Sequence, residues 1–85
     1  MNYKKVGEIT HYFDHIQVAV LKVTEGSVKA GETIRIGEEA DGFEQKADSM
    51  QIDHQTVAEV MAGQEAGLKV AQKTHEGDAV YLVTE

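Results

Sequence analysis

Apolar residues along this chain fall in short runs with a period of two. From Ile16 to Val23 the run Ile-Gln-Val-Ala-Val-Leu-Lys-Val sets Ile16, Val18 and Val20 on one side of an extended chain and Ala19, Leu21 and Val23 on the other. This predicts a central strand buried on both faces, in which Val20→Asp would prevent folding by burying an unpaired charge. Val6 to His11 reads as its antiparallel partner, with Phe13-Asp14-His15 as the connection. Thr33 to Ile36 alternates, Ile34 and Ile36 inward and Arg35 outward, after a tight turn at Lys29-Ala30-Gly31-Glu32 in which Gly31 supplies a positive φ. Gly37 to Gly42 is a polar loop, and Phe43 to Ile52 is expected to form one long strand with Met50 and Ile52 on one face and Ser49 and Gln51 on the other. Gln55 to Ala62 places Val57, Val60 and Met61 at helical spacing but is too short to hold a helix unaided, so it reads as a loop with at most one helical turn. Glycine turns at Ala62-Gly63-Gln64 and Glu76-Gly77-Asp78 precede the apolar runs Ala66 to Val70 and Ala79 to Val83. Six or seven short strands at this spacing indicate an all-β barrel or sandwich.

Composition narrows the function more than the fold. At 85 residues the chain supports one core, so residues 1–85 are expected to form a single barrel domain with its ordered core at about 6–83. That leaves no room for a catalytic domain with its own cofactor fold, and a non-enzymatic chain without cofactors is expected. Cysteine is absent, which removes disulfides, thiolate nucleophiles and Cys-based zinc sites together. No long apolar run follows Met1-Asn2-Tyr3-Lys4-Lys5, so neither a signal peptide nor a membrane span is expected, and a cytoplasmic location is the default. Eight Lys+Arg against fifteen Asp+Glu give a net charge of −7. Between Gly37 and Asp53 the acids Glu38, Glu39, Asp41, Glu44, Asp48 and Asp53 stand against Lys46 alone, which predicts one negative edge.

The segment Glu25-Gly26-Ser27-Val28-Lys29-Ala30-Gly31-Glu32-Thr33-Ile34-Arg35-Ile36 resembles the glycine and alternating-strand signature of the second domain of elongation factor Tu and related translational GTPases. Ala62-Gly63-Gln64-Glu65-Ala66-Gly67-Leu68 and Glu76-Gly77-Asp78-Ala79-Val80 are similar to that domain's later turns, so the likeness runs from about Val6 to Val83. It implies a small closed, mostly antiparallel six- to seven-stranded barrel of the translation-protein type, acting as a stand-alone binding module for tRNA or the ribosome. Similar barrels also form the C-terminal region of collagenase-like peptidases, which implies the alternative of a protein-protein interaction module serving a separate protein such as a peptidase. The chain has no phosphate loop, which excludes GTP hydrolysis on it. The family's tRNA-end site uses a glutamate followed by a basic pair; here those positions are Gln51, His54 and Gln55, an amide in place of the carboxylate and no fixed positive charge. With Arg35 expected nearby, Gln51, His54 and Gln55 form the candidate binding loop.

Other chemistry is sparse. Phosphate-backbone affinity comes from clustered cations, and the lysines are scattered; Lys22 and Arg35 would form a small cluster if their strands were neighbours. His11, His15, His54 and His75 lie near turns without diagnostic metal-ligand spacing, and no metal site is assigned. Ser27 and Ser49 lack a nucleophile motif. Tyr12 and Phe13 stand where an exposed anchor would serve a protein partner, although Phe13 is expected in the core.

Overall fold

A computed structural model describes residues 2–37 and 42–84. It is all-β, with ten strands: β1 (Asn2–Phe13), β2 (Val18–Val23), β3 (Ser27–Lys29), β4 (Thr33–Ile36), β5 (Phe43–Lys46), β6 (Met50–Ile52), β7 (Gln55–Thr56), β8 (Glu59–Met61), β9 (Glu65–Lys69) and β10 (Ala79–Thr84). Eight of them form one sheet in the order β5-β4-β10-β1-β2-β9-β6-β7, every pairing antiparallel, while β3 and β8 pair separately. The edge strands β5 and β7 do not pair, so the sheet is a curled half-barrel and not the closed six- to seven-stranded barrel that the sequence implies.

The reason lies in the predicted long strand Phe43 to Ile52, which is interrupted at Ala47-Asp48-Ser49. Its first half, β5, pairs with β4; its second half, β6, pairs with β9. Ala47 turns fully inward, its N–H donating to the Glu32 carbonyl at 2.9 Å and its carbonyl accepting from Gly31 N–H at 3.1 Å. Where β5 and β9 face each other without a ladder, the Gln45 side chain stands in for one. Its amide nitrogen donates to the Lys69 carbonyl at 2.9 Å, and its oxygen accepts from Ala71 N–H at 2.8 Å. A primary amide carries both functions of a peptide group, which is why Gln serves here.

Gln55 to Ala62 is not helical: it supplies the short strands β7 and β8, with Val60 buried opposite Val28 and Met61 exposed. The predicted first hairpin is present, but β1 runs on to Phe13, and the turn is Asp14 to Gln17, closed by the pair Phe13↔Val18. Ile34 and Ile36 point inward, and Gly31 has φ 91°, as the alternation and the turn required. Strand β2 departs from expectation. Ala19, Leu21 and Val23 are fully buried, whereas Val18 and Val20 are half-buried on the outer face and Ile16 is exposed in the turn. Phe13 is 45% exposed and outside the core. Glu38, Glu39 and Asp41 lie outside the described residues; the rest of the predicted acidic edge, Glu44, Asp48 and Asp53, is exposed. No helix among the described residues is long and apolar enough to cross a membrane.

Candidate functional site

The outer face of β2, β9 and β6 carries a groove of about 450 Å³ lined by Phe13, Ile16, Val18, Val20, Gln51, Asp53, His54 and Gly67. Its floor follows from register. Val20, Gly67 and Gln51 stand side by side across the three strands, and because Gly67 has no side chain, the middle position is open. A Cβ on Gly67 would make only ordinary contact with Val18 Cγ1 at 3.4 Å and the Gln51 carbonyl at 3.9 Å, so the opening is a choice of residue and not a demand of the backbone. Phe13 and Ile16 rise on one side from the β1–β2 turn.

On the other side stands the β6–β7 hairpin. Ile52 pairs with Gln55, so Asp53 and His54 are the two turn residues, with φ 51° and 64°. A two-residue hairpin with both central residues at positive φ is the type I′ class, which favours Asn-Gly because a side chain there is crowded. A non-glycine residue in the left-handed region costs about 1–2 kcal/mol, less for Asp and Asn. His54 therefore occupies a position where glycine would be more stable.

Of the candidate residues, Gln51 and His54 line this groove, and Gln55 sits beside them on the edge strand β7. Arg35 does not join them: in the sheet order β10, β1, β2 and β9 lie between its strand β4 and β6. Nor are Lys22 and Arg35 on neighbouring strands. Lys22 stands opposite Glu8 and Glu65, Lys29 opposite Glu59, and Arg35 opposite Glu44, so each of these cations faces an acid across the ladder. Sequence reasoning missed Ile16, Val18, Val20 and Gly67 as a surface, and it named Phe13 as a position for an exposed anchor while expecting it in the core. The available signals were the second apolar face of the Ile16 to Val23 run and a glycine inside a strand.

The histidines do not converge. His11 Nδ1 lies 3.2 Å from Glu76 Oε1 and its ring meets Phe13 edge-on at 4.4 Å; His75 pairs loosely with Asp78 at 3.9 Å. Among the described residues no three His, Asp or Glu side chains are placed to hold a metal ion.

Arg35 belongs to a different exposed strip. There the Tyr3 hydroxyl donates to Glu44 Oε2 at 3.0 Å, and this bond, with the adjoining negative charge, holds the Tyr3 pKa above the ordinary tyrosine value despite the opposing pull of Arg35. Because the folded pKa is raised, the contribution to stability is present below the ordinary tyrosine pKa and is lost as pH rises through the raised one. In an ultraviolet phenolate titration one of the tyrosines should ionise late, and Glu44→Gln should bring it back toward the ordinary range.

No protein-family model matches this chain. It is 33% identical over 82 residues to an uncharacterized protease of Methanocaldococcus jannaschii, a match spanning 95% of this chain but only 20% of that protein. In three dimensions it superposes on the C-terminal domain of a Geobacillus thermoleovorans protein classed with the U32 peptidases, with a TM-score of 0.84 and 13% identity over 95% of this chain and 93% of that domain. The fold is that of a U32 peptidase C-terminal domain. The selenomethionine variant of the same domain agrees, with a TM-score of 0.81 and 15% identity over 91% and 96% of the two chains. These likenesses support the peptidase setting of the barrel and lend nothing to the translational one.

Proposed function

We propose that this chain is a non-catalytic binding module that serves a U32-type peptidase, within the same polypeptide or on a separate one. The observation that carries the reading is the 33% identity to a protease over 82 residues, a match that spans 95% of the chain. The chemistry of the surface agrees. The groove offers apolar area and hydrogen-bonding groups, and among the described residues that line it there is no nucleophile–base pair. A tRNA or ribosome partner, implied by the elongation-factor resemblance, has less to rest on, because Lys22, Lys29 and Arg35 are each set opposite an acid and the chain carries −7 overall.

Affinity capture with the purified chain from nuclease-treated extract of its own cells, read by mass spectrometry, tests this. A U32-type peptidase should be enriched and should stay bound after nuclease. Recovery of ribosomal components that vanish with nuclease or with added salt, and of no peptidase, overturns it.

A further inference from the structure

A second hollow, of about 370 Å³, lies in the seam where β5 and β9 face each other without a ladder, and it shares no lining residue with the apolar groove. We infer that it binds a small zwitterion, a free amino acid or a short peptide, with the carboxylate against Lys46 and Lys69 and the ammonium against Asp48. This rests on the peptidase-module reading only for the source of the ligand, because peptide hydrolysis releases such molecules.

The pairing of charges carries the argument. Lys22, Lys29 and Arg35 each face an acid across the ladder, but Lys46 stands opposite Thr33 and Lys69 opposite Val18, so neither ammonium is met there. Both line the hollow together with Asp48, and among the described residues no ion pair joins Asp48 to either of them. Three charges around one opening, too far apart to satisfy one another, leave room for a molecule that brings the complementary groups. A lone cation would have Asp48 to hold it and two lysines to repel it, and a lone anion would meet the lysines at the cost of Asp48; a zwitterion is attracted by all three. Ser49 and Gln17 add a hydroxyl and an amide to the same lining. Charges nearby do not occupy the place. Glu44, two residues before Lys46 on the same face, accepts from the Tyr3 hydroxyl at 3.0 Å and stands opposite Arg35, while Asp14 and Lys73, in the segments that carry Gln17 and Ala71, do not line the hollow.

The frame around these groups is fixed by the fold. The Gln45 amide ties the back wall to the Lys69 carbonyl and the Ala71 N–H, buried Val70 donates its N–H to the Gln17 carbonyl at 2.9 Å, and buried Ala47 anchors the backbone between Lys46 and Asp48. A ligand therefore has little to order beyond the lysine side chains themselves. The volume stands at the lower end of small-molecule sites, which span about 300–1,000 Å³, and suits a ligand of one or two residues.

The test is amide chemical-shift mapping on the isotope-labelled full chain at constant ionic strength, with four probes: alanine, alanylalanine, N-acetyl-alanylalanine, which lacks the ammonium, and alanylalanine amide, which lacks the carboxylate. Alanine or alanylalanine should shift Gln17, Lys46 to Ser49 and Lys69 to Ala71 saturably, with a Kd on the order of millimolar as suits exposed charge pairs, and whichever saturates first tells the free amino acid from the peptide. Each blocked form should bind about threefold to fivefold more weakly than alanylalanine. Asp48→Asn should erase the difference between alanylalanine and its N-acetyl form while keeping the difference from the amide, and Lys46→Gln combined with Lys69→Gln should do the reverse. All three side chains are exposed, so the spectrum away from the hollow should stay that of the parent chain. No saturable shifts, shifts centred on other residues, or equal binding of alanylalanine and either blocked form overturns the inference. Zwitterion binding without capture of a peptidase leaves the site standing and removes the peptidase reading; capture of a peptidase by a chain that binds no zwitterion does the opposite.

Discussion

Leu21→Asp is expected to abolish folding, whereas Val20→Asp, one residue away, should leave a soluble domain with a cooperative melt. Both residues are branched apolar positions of β2, and sequence alone gives no ground for separating them. The structure does: Leu21 is fully buried, paired with Ile9 on β1 and Ala66 on β9, and Val20 is half-buried on the outer face. Removing a buried leucine side chain alone costs about 2–5 kcal/mol, and leaving an unpaired carboxylate in its place adds several more. A domain of this size has a total stability on the order of 5–10 kcal/mol, so the sum exceeds what it has. At Val20 the carboxylate remains hydrated, and the loss is about 1–2 kcal/mol of strand propensity and packing. Circular dichroism of the two variants against temperature decides the matter. A folded Leu21→Asp, or an unfolded Val20→Asp, would mean that β2 presents its other face to the core.

This pair also shows what the sequence could and could not disclose. Thr33 to Ile36 was legible because only one of its faces is apolar: Ile34 and Ile36 had one place to go, and Arg35 another. The Ile16 to Val23 run is apolar on both faces, so the pattern specified a strand without specifying which side was core. The side left outside is the groove floor. Long-range partner choice was likewise invisible. Nothing local at Ala47-Asp48-Ser49 announces that the chain leaves β4 for β9, because that switch is fixed by where Glu32 and Gly31 present their backbone groups. Strands β7 and β8, of two and three residues, are shorter than one period of any pattern, and the turn before β7 uses Asp-His where the recognisable signal would be Asn-Gly. For the candidate site, the positions implied by the resemblance, Gln51, His54 and Gln55, fall together because all three lie in one hairpin close in sequence. Placing Arg35 beside them required the sheet order, which sequence position does not contain.

Gly7→Ala should be the most damaging single-methyl change in the protein. Gly7 sits in the middle of β1, paired with Val23 of β2 on one side and Val80 of β10 on the other. The register between β1 and β10 slips there: Lys5 pairs with Tyr81 and Gly7 with Val80, leaving Val6 as the extra residue of a bulge, buried, with its carbonyl accepting from Thr24 N–H at 2.7 Å and Glu25 N–H at 3.2 Å. The bulge turns the Cα of Gly7 against its neighbour, so that a Cβ would overlap the Lys22 carbonyl oxygen and crowd the carbonyl carbon and the Val23 Cα at 3.0 and 3.1 Å. All three are backbone atoms of a central strand, and none can swing aside as a side-chain tip would. Relief requires β1 and β2 to part, at about 3 kcal/mol or more, the upper end of overpacking costs. For a domain of this length that corresponds to a fall in melting temperature of more than about 10 °C. Gly77→Ala is the control, because Gly77 has φ 89° and open space around its Cβ position, so it carries only the conformational cost of about 1–2 kcal/mol. If Gly7→Ala melts no lower than Gly77→Ala, the close approach of β1 to β2 at the bulge is not what holds that glycine in place.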